Sequence, residues 1–173
     1  MKNLLAICGS ASQNSSNLAV LQAIKSYLPP QYSLDIMEEL EELPHFVPAQ
    51  TDRLTPAAVV AFRQAVSEAA GVIICTPEYI FSIPARLKNA LEWCVSTTVF
   101  TDKPVALLTA SANGLRGHEE LGLIMKTIGA HYTDDTMLLI QGIKGKVNQQ
   151  GEIIDEITQT QLRHITSSFL TLL

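Results

Sequence analysis

Short apolar runs alternate with segments of helical periodicity along this chain, and the alternation restricts the fold more than any other feature. Each run ends in a polar or glycine-containing loop, after which apolar residues recur at helical spacing. Strands that alternate with helices form a parallel sheet covered on both faces, because every crossover carries the chain back over the sheet. The predicted strands are Leu4–Cys8, Ser33–Met37, Val72–Cys75, Val105–Ala110 and His131–Ile140, the last strongest at 137–140.

Five strands in this pattern predict an α/β fold of the flavodoxin-like type, a three-layer sandwich around a parallel sheet in the order 2-1-3-4-5. A dinucleotide-binding half would place G-x-G-x-x-G after the first strand, and that motif is absent. With 173 residues, no repeat and no linker, residues 1–173 are expected to form a single domain. Thr55 is predicted to cap the second helix, with Pro56 as its first helical residue.

Charge and cysteine content exclude several classes of partner. The net charge is −5 and no basic cluster stands out, which argues against nucleic acid. No stretch approaches the roughly 18 apolar residues of a membrane span. The three cysteines, Cys8, Cys75 and Cys94, lack C-x-x-C spacing, so we expect no metal site, no disulfide framework and a reducing, cytoplasmic location.

The ligand site of an open parallel sheet lies at the carboxyl ends of the strands, where the strand order reverses. In the order 2-1-3-4-5 this position lies between strands 1 and 3. The loops that follow strands 1, 3 and 4 are therefore the candidates. We name them the first loop (residues 9–17), the second loop (76–84) and the third loop (111–117).

The first loop has the composition of an anion site. It contains four serines and two asparagines and ends where a helix begins, and helix N-termini bind phosphate through free N–H groups. Ser10, Ser15 and Asn17 can donate further hydrogen bonds. The frame lacks the lysine of a nucleotide-triphosphate loop, so a monophosphate such as that of FMN is favoured. The alternative is that Ser15 or Ser16 merely caps the helix.

The second and third loops suit a flat ring. Two prolines stiffen the second loop, so its backbone N–H groups can be aimed at the edge of a flavin, with Tyr79 and Phe81 shaping the pocket. Alternatively, it is a plain strand-to-helix connection. In the third loop two glycines leave room beside a ring, and Arg116 either attracts an anionic group or is simply solvated.

Two motifs carry a resemblance to a known family. The first is Gly9-Ser10-x-x-x-x-Ser15-x-Asn17, and the second runs from Pro77-Glu78-Tyr79 through Ser82 and Pro84 to Leu87-Lys88-Asn89-Ala90-Leu91-Glu92-Trp93. In order and spacing they resemble the NADPH-dependent FMN reductase family, which includes azo, quinone and chromate reductases.

The resemblance implies bound FMN, with NADPH or NADH as electron donor and a flavin, quinone or similar small molecule as acceptor. It implies no catalytic side chain and no metal, because the flavin carries the chemistry, and it implies a homodimer or homotetramer. The predicted cofactor-binding residues are Ser10, Ser15, Ser16, Asn17, Pro77, Glu78, Tyr79, Ile80, Ser82, Ser111, Asn113 and Gly114.

This chain departs from the family pattern at two site positions. Ser12 stands where the family usually has Arg, and Ile80 where it usually has Asn. The first change removes a charge-assisted contact to phosphate, so weaker FMN binding is expected. The prediction is therefore an FMN-dependent NAD(P)H oxidoreductase, with a non-catalytic flavodoxin-like FMN carrier or interaction subunit as the alternative.

Overall fold

One parallel sheet runs through the computed structural model, which describes residues 1–52 and 54–173. Its strands are β1 (Lys2–Cys8), β2 (Tyr32–Met37), β3 (Val72–Thr76), β4 (Val105–Ser111) and β5 (Met137–Gln141). They lie in the order β2-β1-β3-β4-β5, with every neighbouring pair parallel. The predicted fold class and strand order are confirmed.

Helices cover both faces of the sheet. They are α1 (Ser16–Tyr27), α2 (Ala57–Glu68), α3 (Ala85–Glu92), α4 (Leu115–Thr127) and α5 (Glu156–Leu170). Alternate residues of β1 enter different cores: Leu5 and Ile7 pack with α2, α3 and α4, whereas Leu4 and Ala6 pack with α1 and α5. Because β1, β3 and β4 are buried on both faces, they read as nearly continuous apolar runs, whereas the edge strands β2 and β5 are only partly buried.

The register brings the loops of the site to one edge. Cys8 pairs with Cys75, and Thr76 pairs with Thr109, so β1, β3 and β4 end side by side. The loops that follow these strands therefore start next to one another. Within the part of the chain that the structure describes, no helix has the length and apolar character needed to cross a bilayer.

Besides shifts of one or two residues at strand ends, three boundaries differ from the sequence-based expectation. Pro56 is the N-cap of α2 instead of its first helical residue, and the Thr55 hydroxyl does not cap the helix but donates to the carbonyls of Gln50 and Thr51. The third loop is shorter than predicted, since residues 115–117 already form the first turn of α4. A 3-10 turn over residues 134–136 delays the start of β5 to residue 137.

Two residues of the second family motif hold the long segment that follows β2. The Asn89 side chain accepts from Phe46 N (2.8 Å) and donates to Pro44 O (3.0 Å). The indole Nε1 of Trp93 donates to the same carbonyl at 2.7 Å. The conformation of this segment thus depends on α3, and these motif residues act in folding.

Candidate functional site

A cleft of about 690 Å³ opens at the carboxyl ends of the strands. The first loop, the second loop, the end of β4 and a further segment after β5 line it. The predicted residues that line the cleft are Ser10, Ser15, Ser16, Asn17, Pro77, Glu78, Tyr79 and Ser111. Ile80, Ser82, Asn113 and Gly114 are not among the lining residues. What each residue does toward a cofactor stays a prediction.

Hydroxyl groups organise the first loop. Ser15 is the N-cap of α1, and its Oγ accepts from Leu18 N at 3.2 Å, so the capping role considered from the sequence is present. The Ser10 hydroxyl accepts from Ser12 N at 3.2 Å and tightens the turn. Capping leaves the Ser15 O–H able to donate and the other N–H groups of the first helical turn without intrahelical partners. An anion binding here would meet these donors.

Asn17 is a structural cross-link as well as a cleft residue. It is only 3% exposed, and its Nδ2 donates to Ala110 O at 3.2 Å while its Oδ1 accepts from Cys75 Sγ at 3.3 Å. Burial raises the pKa of Cys75 well above its ordinary value, which keeps the thiol protonated as the donor. The Asn17 side chain therefore joins α1 to β3 and β4.

The second loop contains a two-residue hairpin with an unusual backbone. Tyr79 N donates to Ser82 O (2.9 Å) and Ser82 N to Tyr79 O (3.1 Å), while Ile80 and Phe81 have φ of +52° and +59°. Asn-Gly is the usual pair at such a turn, and a β-branched residue is strained there. The side chains of Ile80 and Phe81 are 96% and 74% exposed. Ile80 thus points its side chain to solvent.

Glu78 fastens the second loop to the start of α4. One carboxylate oxygen accepts from Gly117 N at 2.8 Å and the other from Gly114 N at 3.4 Å. Gly114 is the N-cap of α4 and has no side chain to cap with, so Glu78 supplies the acceptors. Gly117 permits the approach, since a Cβ there would lie 3.3 Å from Glu78 Cβ and Cγ.

Glu120 makes the reciprocal link from α4 to the second loop. Its Oε2 accepts from Ser82 Oγ at 2.6 Å and from Ile83 N at 3.2 Å. Glu78 reaches from loop to helix and Glu120 from helix to loop, and we refer to the two together as the crossed clamp. Ser82, predicted as a cofactor residue, is thus one of the clamp's hydrogen-bond donors.

Tyr79 connects the second loop to the first. Burial raises the pKa of its phenol, but hydrogen bonding with Ser10, Ser12 and the backbone of Ala11, together with nearby Arg86, outweighs that effect. The net pKa lies below the ordinary tyrosine value. Tyr79 and Ser10 both line the cleft, so the two loops border it side by side.

Sequence reasoning missed two contributors to the site. Glu120 carries no local signal, because its partners lie more than 35 residues away in the chain. The other is the fourth loop (residues 142–151), whose first residues line the cleft. It is held by Gly142 N, which donates to Ala112 O at 3.1 Å, and by buried Ile143. Its glycines directly follow strand 5, at the same edge of the sheet as the other loops, and could have identified this loop as part of the site from the sequence.

Comparison with known proteins places the chain among flavin-dependent reductases. The family model described as NADPH-dependent FMN reductase matches residues 2–143. A Vibrio ruber protein named NADH:(hydroxy)cinnamate reductase subunit CrdA is 34% identical, over 97% of this chain and 85% of its own. The quinone reductase of Escherichia coli K12 is 29% identical, over 94% and 89%. The structure of FerB, a flavoenzyme NAD(P)H:(acceptor) oxidoreductase from Paracoccus denitrificans, superposes with a TM-score of 0.83 at 18% identity, covering 99% and 97%.

Proposed function

Because the chain belongs to the NADPH-dependent FMN reductase family, we propose that it holds FMN in the cleft and passes electrons from NADPH or NADH to a small acceptor such as a quinone or flavin. The observation that carries the proposal is the position of the cleft, at the carboxyl ends of β1, β3 and β4 with the N-terminus of α1 at its border. The relatives are reductases, which favours an oxidoreductase over a non-catalytic carrier or interaction subunit.

The residues present fit FMN. A volume of about 690 Å³ lies in the range of cofactor pockets. Ser10, Ser15 and Ser16 offer hydroxyl and backbone donors for a phosphate where α1 begins. Pro77 and Glu78 supply a firm wall on the second loop, which suits a planar ring. Polar donors at one end and a stiff wall at the other match a molecule with a phosphate tail and a flat head.

In this reaction the protein itself binds and orients the cofactor. When bound, FMN supplies the hydride and electron chemistry. The start of α1 holds the phosphate, and the crossed clamp fixes the second loop so that its backbone keeps one position against the ring. We assign no side chain as an acid or base. Within residues 1–52 and 54–173, no group of three or more His, Cys, Asp or Glu is arranged for a metal.

An absorbance spectrum tests the proposal directly. The purified protein is recorded before and after incubation with FMN and desalting, and then mixed with NADH or NADPH without oxygen. We expect oxidised-flavin bands that stay with the protein, bleach with the nicotinamide and return on addition of a quinone. A protein that retains no FMN, or retains it without bleaching, would overturn the proposed function.

We also propose a homodimer or homotetramer, with a second copy of this chain on the α3–α4 face. Val95 and Leu123 are 58% and 65% exposed and border a groove of about 370 Å³ beside Phe46. Exposed apolar surface of this kind is typical of subunit contacts. Light scattering of the purified protein measures the assembly, and a monomer at micromolar concentration would refute it.

A cytoplasmic location is likewise a proposal. Cys8, Cys75 and Cys94 are free and buried thiols, as suits a reducing compartment. Fractionation of cells that express the tagged chain would test it. That residues 1–173 form a single domain stays a prediction, which limited proteolysis would test through the number of resistant fragments.

A further inference from the structure

The fourth loop brings a lysine to the end of the cleft where α1 begins. Lys144 lines the cleft, and it also lines an adjoining cleft of about 660 Å³. Asn14, Ser15 and Ser16 are likewise shared by the two clefts. Residues that border both clefts lie at their junction, so Lys144 flanks the N-terminal turn of α1. That turn is the end of the cleft to which the proposed function assigns the FMN phosphate.

The surroundings hold Lys144 in this place. It belongs to a 3-10 helix over Ile143–Lys146, whose N-cap, Gly142, has φ of +64° and donates to Ala112 O. Ile143, the residue before it, is buried in the core formed with α1 and α5. The backbone is therefore fixed on a rigid element, while the lysine side chain itself is exposed.

The charges around the cleft favour a role for Lys144 in anion binding. Among the described residues that line the cleft, Lys144 is the only cation, and Glu78 is an anion committed to α4. Arg86, near the first loop, is paired with Glu41 at 2.9 Å. Lys146 pairs with Asp155 at 3.9 Å, whereas Lys144 has no carboxylate partner in the described part of the chain. In a protein of net charge −5, a cation near the site favours the binding of a dianion.

We propose that Lys144 supplies the positive charge for the FMN phosphate that an arginine at position 12 would otherwise supply. The inference rests on the proposed function. Ser12 and Lys144 line the same cleft from different loops, so a cation from either position can reach an anion held by the start of α1. The lysine acts as a flexible point charge, in contrast to the two-pronged contact that arginine makes. The expected weakening of FMN binding by Ser12 is thereby offset.

The test compares FMN with riboflavin, which carries the same ring without the phosphate. Dissociation constants are measured by flavin fluorescence on the full-length, flavin-free protein. Lys144→Gln is expected to raise the dissociation constant of FMN about tenfold, corresponding to one charge-assisted contact, and to change that of riboflavin less than about twofold. Lys144→Glu is expected to weaken FMN further. Because the side chain is exposed, unfolding midpoints should match the wild type.

Lys146→Gln is the matched control. It removes the same charge from the same 3-10 helix, two residues on, at a position that does not line the cleft, so FMN affinity should stay within about twofold. Ser12→Arg in the Lys144→Gln background is expected to restore most of the lost affinity, since both cations serve one phosphate.

Three results would overturn the role of Lys144 while leaving the flavin site intact. They are an unchanged FMN dissociation constant in Lys144→Gln, equal weakening of FMN and riboflavin by that substitution, and a wild-type protein that binds riboflavin as tightly as FMN. A wild-type protein that binds neither flavin would instead defeat the proposed function, and this inference with it.

Discussion

The first and second loops border the same cleft, yet they are held in different ways. The first loop is shaped by its own residues, with contacts from Ser10 to Ser12 and from Ser15 to Leu18. The second loop takes its shape from α4, through Glu78 to Gly117 and Glu120 to Ser82, across 39 and 38 residues of sequence. One wall of the site is thus shaped mainly by local contacts and the other mainly by contacts with α4, although Asn17 also links the first loop to β3 and β4. Mutations in α4 should therefore affect the second loop more than the first.

The largest expected effect comes from breaking the crossed clamp. Glu78→Ala leaves Gly114 N and Gly117 N without their acceptor and is expected to lower the free energy of unfolding by about 2.5 kcal/mol, as measured in urea. Glu119→Ala, which removes an exposed ion pair with Arg116 on the same helix, should cost less than about 0.5 kcal/mol. Equal effects of the two changes would contradict the clamp.

Asn17→Ala tests the long-range link that the Asn17 side chain makes from the start of α1. Removing the buried amide leaves Ala110 O and Cys75 Sγ unpaired, so the flavin-free protein should lose about 2 kcal/mol of unfolding free energy. Ser16→Ala, at the neighbouring helical position, should stay within about 0.5 kcal/mol. If Asn17→Ala left the flavin-free protein as stable as the wild type, the side chain would serve only a ligand.

Ile80→Asn, in contrast to the two substitutions above, is expected to stabilise the protein. Asparagine tolerates the left-handed backbone that Ile80 adopts, and the exposed isoleucine side chain contributes little packing, so we expect a gain of about 1 kcal/mol. Ile157→Asn is the control, because Ile157 is also exposed but lies in α5. There we expect no gain and a change within about 0.5 kcal/mol, because isoleucine and asparagine have similar helix propensities. A loss at both positions would argue against strain at the hairpin.

The smallest expected effect is on the pH dependence of the free energy of unfolding. Burial lowers the pKa of His118 on α4, whose Nδ1 lies 2.9 Å from Thr109 Oγ1, and nearby Glu119 only partly opposes the shift. The unfolded chain therefore binds the proton more readily, and stability declines as pH falls below the ordinary value of about 6.5 toward the lowered one. His118→Gln should make the loss of unfolding free energy between about pH 7 and pH 5 smaller. An unchanged pH profile would count against this role.

The sequence predicted the parts of this molecule that follow local rules. Strand order follows from the alternation of apolar runs and helices, and the capping role of Ser15 from residue type and position. The clamp partners could not be predicted, because Glu120 reads as any exposed glutamate until α4 packs beside the second loop. The conformation at Ile80 was hidden for a related reason: its left-handed backbone contradicts its residue type and is held by contacts elsewhere. Lys144 could have been found by extending the strand-end argument to β5.

The crossed clamp also bears on how a site of this kind can change over generations. Because Glu78 and Glu120 hold the hairpin on either side of its tip, the path of the backbone there is set mainly by contacts outside positions 80 and 81. Those two side chains project into solvent, so substitution there alters surface chemistry next to the cleft at small cost to the fold. A library varied at 80 and 81, with both glutamates kept, is the natural starting point for redirecting acceptor preference.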